Sequence, residues 1–300
     1  MFISSNVSSL NAQRNLSNTT KLLDTSYTRL ASGQRINNAK DDAAGLQISN
    51  RLTSQINGLD QGIRNANDGI SVAQTAEGAM DEISNMLQRM RTLAQQSING
   101  ANSSEDRRTL QEEYSDLRDG IDQVAQNTTY GGQKLLNGGY SASFQVGADA
   151  GQTITLDISN AFTISGISFA ATGRAGVAYN AADGTYTIKH LSGSTGPGIT
   201  STIVSDIGAM SAMANLDYYL QVVDSKRAEL GAIQNRFDSV IRNQANVSEN
   251  VNAARSRIRD ADFAVETANL TKQNILQQAA SSILLQANQR QQSALSMLQS

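Results

Sequence analysis

A stripe of apolar residues runs without a break from Leu52 to Ala94: Leu52, Ile56, Leu59, Ile63, Ala66, Ile70, Ala73, Ala76, Met80, Ile83, Leu87, Met90 and Ala94. Its steps of three and four residues average 3.5, the repeat of a coiled-coil seam, with one phase slip between Ala73 and Ala76. At 1.5 Å per residue the helix is expected to run roughly 63 Å, longer than an ordinary globular helix. Pro197 is the single proline, where average usage of about 5% gives roughly 15. A chain this poor in proline can hold long helices unbroken.

The rest of the chain extends the pattern. Ile98 to Ser104 reads as a turn, followed by a second stripe at Leu110, Tyr114, Leu117, Ile121 and Val124. Two helices joined by a short polar turn pack antiparallel. From about Gly131 to Ser205 the texture changes, with thirteen glycines and short alternating runs. Ser143–Val146 and Thr153–Ile158, separated by Ala148–Gly151, read as one hairpin. Val177–Tyr179 and Thr185–Ile188 read as another. Helix resumes near Ser205, with a stripe at Leu216, Leu220, Val223, Leu230, Phe237, Ile241, Val251 and Ile258. The expected fold is mainly α with a small β insertion: a long antiparallel coiled-coil bundle with short β-hairpins in the middle. Its expected core includes Leu52, Ile56, Leu59, Ile63, Ile70, Ile83, Leu87, Leu220 and Phe237.

Both ends are amphipathic, rich in Ser, Asn and Gln, and poor in charge. Residues 261–300 carry four charged side chains, Asp262, Glu266, Lys272 and Arg290. The first thirty carry Arg14, Lys21, Asp24 and Arg29. Near the C-terminus Leu276, Ala280, Ile283 and Ala287 step by four, three and four. Such segments bury too little surface alone to offset their ordering entropy, so they are expected to fold against copies of themselves. The order helices, insertion, helices makes the domains discontinuous. Residues 1–42 with 257–300 form the terminal helices, 43–158 with 205–256 the core bundle, and 159–204 a small outer insertion.

Composition excludes much chemistry. Cysteine is absent, which removes disulfides, thiolate metal sites and cysteine nucleophiles. A single histidine, His190, rules out histidine-pair zinc sites and is expected to be an ordinary strand-end residue. The carboxylate pairs Asp41–Asp42 and Glu112–Glu113 point about 100° apart on a helix, so they are read as solvated faces. Gly131–Gly132 and Gly138–Gly139 lack the Lys-Ser/Thr of a phosphate loop and are read as turns. With 27 acidic and 24 basic residues, net −3, and no basic run, nothing favours nucleic acid. No span suits a membrane, and the first residues lack a secretory signal's basic and apolar regions. The chain is expected to be no enzyme and to need no cofactor.

Two segments identify a relative. Arg29-Leu-Ala-Ser-Gly-Gln-Arg-Ile-Asn-Asn-Ala-Lys-Asp-Asp-Ala-Ala-Gly-Leu46 and Ser256-Arg-Ile-Arg-Asp-Ala-Asp-Phe-Ala264, continuing to Asn274–Ala279, closely resemble bacterial flagellin. Asn6–Arg14 and Gln145–Ala148 also resemble it. The resemblance implies a self-assembling filament subunit for swimming, secreted through the flagellar type III apparatus to an extracellular flagellum. It implies that both termini form an inner tube, that the bundle surrounds it and that the insertion faces outward. It implies an export chaperone on the C-terminal helices, with Leu276, Ile283, Leu284 and Leu295 as chaperone and inner-tube contacts. It also implies partners in the filament cap, the hook-junction proteins and Toll-like receptor 5, the last through an exposed patch at Arg89, Leu93 and Glu113. A hook–filament junction protein is the alternative reading. A flagellin carrying a zinc protease is excluded by the single histidine and by an insertion of about 47 residues, too short for one.

Overall fold

The computed structural model describes residues 6–172, 176–180, 185–189 and 202–299. His190 lies outside the described residues, as does the Leu295 side chain. The elements are α1 (Val7–Ser32), α2 (Ala43–Ser97), α3 (Ser104–Asn127), β1 (Thr129–Tyr130), β2 (Gln133–Lys134), β3 (Tyr140–Gln145), β4 (Thr153–Ile158), α4 (Ile164–Thr172), β5 (Gly176–Asn180), β6 (Thr185–Lys189), α5 (Asp206–Arg259) and α6 (Phe263–Gln299). Long helices flank a small β-containing middle, the class expected from the stripes.

The chain forms two compact units, Gly58–Asn246 and Met1–Asn57 with Val247–Ser300. These units divide inside α2 and α5, whereas the expected boundary at 42/43 falls at the start of α2 and that at 256/257 lies within the last turn of α5. On the terminal side, Arg255 Nη1 still donates to Thr53 Oγ1 at 3.4 Å, which ties those helical stretches into one unit.

In the larger unit the core lies along α2, α3 and α5. Met80, Ile83, Leu87 and Met90 of α2 meet Tyr114 and Ile121 of α3, and Leu216, Val223 and Leu230 of α5. The α5 seam repeats every seven residues, at Leu216, Val223, Leu230, Phe237 and a buried Gln244. Its second position falls at Ala212 and Tyr219, so the expected core residue Leu220 is turned aside and only half-buried. Between α2 and α3, Ser103 caps α3: its hydroxyl accepts from Asp106 N, and Asp106 Oδ2 accepts from Ser103 N at 2.9 Å.

The middle is less separate than expected. β3 and β4 pair antiparallel with Gln145 opposite Thr153, and β5 and β6 pair with Asn180 opposite Thr185. β1 and β2 form a two-residue hairpin across Gly131 and Gly132, both in the left-handed region at φ 55° and 84°. α4 was not foreseen. Phe162, Ile164, Ile167 and Ile203 are buried in the bundle core, although they belong to the segment 159–204 expected to face outward. Hydrogen bonds tie the segment to the bundle: Ile164 N donates to the Asp122 side chain and Ile203 N to the Gln111 side chain, both at 2.7 Å, and Phe162 N donates to Leu136 O at 2.8 Å.

Candidate assembly interface

The terminal unit holds α1 and α6 together with the start of α2 and the end of α5. α1 and α6 run antiparallel: Asn6 Nδ2 donates to Ala287 O at 3.0 Å at one end, and Ala261 N donates to Gly33 O at 2.9 Å at the other. Gly33 ends α1 at φ 69°, and Asp262 caps α6 by accepting from Ala264 N at 2.8 Å. The buried positions are Ala12, Leu23 and Ser26 on α1, and Glu266, Ala280 and Ala287 on α6. The expected stripe of Leu276, Ala280, Ile283 and Ala287 therefore splits. Ala280 and Ala287 are buried, and Ala287 O takes the hydrogen bond from Asn6 at the start of α1. Leu276 and Ile283 stand 44% and 56% exposed, at the rim of a groove lined also by Ala12, Leu22 and Lys272. Leu284 is half-buried. Ile275 and Leu285, outside the expected stripe, are more exposed still. Val7, Leu10, Leu22, Tyr27, Phe263 and Val265 add to this outward-facing apolar set. A helix pair that leaves this many large apolar side chains exposed has hydrophobic faces available to a partner.

The two quoted sequence segments meet in this same unit. Gln34 and Asp260 form an antiparallel bridge, and Arg35 N donates to Arg259 O at 2.6 Å. The Arg35 guanidinium reaches Ile258 O at 2.7 Å, satisfying a carbonyl at the end of α5. Arg259 Nε donates to Gln34 Oε1 at 3.0 Å. Asp41 and Asp42 are not a solvated helix face. Asp41 accepts from the backbone of Asn37 and Asn38, and Asp42 accepts from Gly45 N at 2.9 Å at the start of α2. Those bonds to Asn38 and Asn37 hold the Asp41 carboxyl below the usual range.

In the larger unit, β3–β4 rides on glycines of α2. A β-carbon on Gly58 would lie 3.0 Å from Ala148, and one on Gly69 would lie 2.7 Å from the Phe237 ring. One on Gly62 would strike the Val146 carbonyl. Asn65 Nδ2 donates to Gln145 O at 2.8 Å, and the rings of Phe144 and Phe237 meet edge to face at 5.8 Å. This explains the corrections to the expected core. Ile56, Leu59, Ile83, Leu87 and Phe237 are buried, but Leu52, Ile63 and Ile70 are only half-buried. For Ile63 and Ile70, neighbouring glycines take the closest seam positions. A search for apolar side chains passes over glycine, although its spacing at 58, 62 and 69 carries helical periodicity.

Arg89 and Glu113 form an ion pair at 2.6 Å, with side chains 55% and 44% exposed. Leu93, expected on the same exposed face, is buried at 1%. Four helical residues advance the azimuth by about 40° beyond a full turn, which carries Leu93 toward the seam shared with Met90 and Ala94. Among the described residues no cluster of His, Asp or Glu is arranged to hold a metal, and no helix is long and apolar enough to cross a membrane.

Comparison with known proteins agrees with this architecture. Residues 3–141 match the family model for the bacterial flagellin N-terminal helical region, and residues 213–298 that for the C-terminal helical region. Flagellin B of Vibrio anguillarum is 42% identical over 371 aligned positions, covering 99% of each chain. Flagellin B of Vibrio cholerae is 43% identical over 371 positions, and flagellin A of Vibrio anguillarum 43% over 376, each again covering 99% of both chains. These aligned spans exceed the present 300 residues, so the relatives carry insertions that this chain lacks.

Proposed function

The chain belongs to the bacterial flagellin family, and from that premise we propose how its two units are used. It is a structural subunit that self-assembles into the flagellar filament of motility. The terminal unit supplies the inner tube, the α2–α3–α5 bundle surrounds it, and the subunit is exported to stand outside the cell. One observation supports this division most directly: the charge-poor α1–α6 pair turns Leu10, Leu22, Ile275, Leu276 and Ile283 outward. Filament cap and hook-junction proteins meet the same helices at the filament ends. No observation favours the junction-protein reading.

Before export, a cytoplasmic chaperone covers α6 by helix-in-groove contact at Leu276, Ile283, Leu284 and Leu295. Toll-like receptor 5 reads the Arg89–Glu113 surface, with Leu93 lying beneath rather than in it. Deletion of residues 257–300 tests the first reading. The remaining chain is expected to stay helical and monomeric by sedimentation, with no filaments by electron microscopy and no binding to the chaperone by calorimetry. Filaments from the truncated chain would refute it. For the receptor, Arg89→Ala with Glu113→Ala is expected to reduce signalling by monomer; unchanged signalling would exclude these residues.

A further inference from the structure

We propose that Asn99 is a site of spontaneous deamidation, and that the fold, not the local sequence, selects it from three candidates. Asparagine is followed by glycine three times: Ile56-Asn57-Gly58, Ile98-Asn99-Gly100 and Leu136-Asn137-Gly138. Each has a large aliphatic residue before it and no side chain after it. As peptides the three are nearly equivalent, so a difference in rate between them reports structure.

The chemistry is an intramolecular acyl transfer. The Gly100 backbone nitrogen attacks Asn99 Cγ, its proton passing to a base in solution. The Cγ–Nδ2 bond breaks, ammonia leaves with a proton from solvent, and a five-membered succinimide remains. Water then adds to either imide carbonyl and opens the ring to isoaspartate or aspartate. No oxidant or cofactor enters. The step needs a free amide nitrogen, a backbone able to rotate, and stabilisation of the oxyanion that forms on Oδ1.

Asn99 comes nearest to all three: its own backbone lies outside any helix or strand, held by two turn hydrogen bonds, its N–H donating to Gln96 O at 3.2 Å and its carbonyl accepting from Asn102 N at 3.1 Å. It lies exposed in the turn between α2 and α3. Among the described residues, the Gly100 N–H donates to no group, and neither does Asn99 Nδ2. Ala101 N already donates to Asn99 Oδ1 at 3.2 Å, placing a donor on the oxygen that becomes the oxyanion. Asn57 is exposed but sits within α2, where the Gly58 N–H is tied into the helical ladder and a β-carbon on Gly58 would press on Ala148 at 3.0 Å. Asn137 is held in a bridge to Ala161, with Gly138 at φ 91° and packed against the same alanine. Reaction at either requires local opening first, which lowers the rate by the opening equilibrium.

The test is ageing of the full-length chain in mildly alkaline buffer, followed by peptide mass spectrometry and isoaspartyl methyltransferase labelling. Native protein is expected to deamidate at Asn99 about tenfold or more faster than at Asn57 and Asn137, given an opening cost of at least the tenfold step. In denaturant the three rates are expected to converge. Gly100→Ala is expected to suppress the Asn99 product with the circular dichroism unchanged, because nothing lies within 4 Å of the added methyl group. Native rates equal at the three sites, a ranking that survives denaturation, or undiminished product from Gly100→Ala would each overturn the assignment.

Discussion

At the scale of single residues, glycine in these long helices has two opposite meanings. Gly62 faces the hairpin at a distance no β-carbon tolerates, whereas Gly78 faces open space. Alanine at Gly62 must displace backbone at Val146 and is expected to destabilise by about 1–3 kcal/mol. Alanine at Gly78 keeps ordinary helical geometry, removes unfolded-state freedom and is expected to stabilise by about 0.5–1 kcal/mol. Urea unfolding of the two variants checks the sign difference; equal effects would mean the hairpin does not bear on Gly62. Tyrosine supplies a pH signature. Burial pushes the Tyr219 phenol up to about 12 and raises Tyr114 as well. The folded state thus keeps protons that the unfolded state releases above the ordinary value of 10.0. Stability is expected to be full below that pH and to fall as pH rises toward 12. Tyr219→Phe is expected to flatten that alkaline decline in thermal melts.

At the scale of elements, the turn between α2 and α3 controls where the second helix begins. Ser103 and Asp106 satisfy each other's backbone donors, so Ser103→Ala is expected to cost about 1 kcal/mol and to fray the first turn of α3. The Ser103 hydroxyl, and then its backbone N–H, hold the Asp106 carboxyl below its ordinary 3.8. Its contribution is therefore present above that value and is lost as pH falls below it. Faster amide exchange confined to the start of α3 in acid is the expected readout, absent in Ser103→Ala. The elements were legible in the sequence wherever periodicity was strong: the α2 stripe, the turn before Ser104, and the β3–β4 and β5–β6 pairs. α4 escaped because nine residues give too few repeats for a 3.6-residue period to stand out. On α6 one stripe holds both the buried Ala280 and Ala287 and the exposed Leu276 and Ile283, and hydrophobicity alone does not separate the two sets. The clasp of Gln34 and Arg35 with Ile258–Asp260 joins positions more than two hundred residues apart, which no local pattern encodes.

At the scale of the whole molecule, the two units are expected to differ in how much they depend on copies of the chain. The larger unit buries Ile83, Leu87, Tyr114, Leu216 and Leu230 within itself, so its helices are stable before assembly. Along α1 and α6 only Ala12, Leu23, Ala280 and Ala287 are buried apolar residues, and many bulkier ones stay in water, so opening either helix costs little in the monomer. Trypsin finds cleavage points there at Arg14, Lys21, Arg29, Lys272 and Arg290. In monomer these bonds are expected to be cut first, leaving a resistant fragment near Gly58–Asn246. In filament, copies are expected to cover the outward faces, so that the same bonds survive while exposed loops of the larger unit are nicked. Replacing Leu276 and Ile283 together by serine leaves the alanine seam of α1 and α6 intact but removes the covered surface. That variant is expected to keep monomer helicity and to raise the subunit concentration needed for polymerisation, measured by sedimentation. Equal proteolysis in both states, or unchanged polymerisation of the double variant, would show that these faces are not what assembly buries.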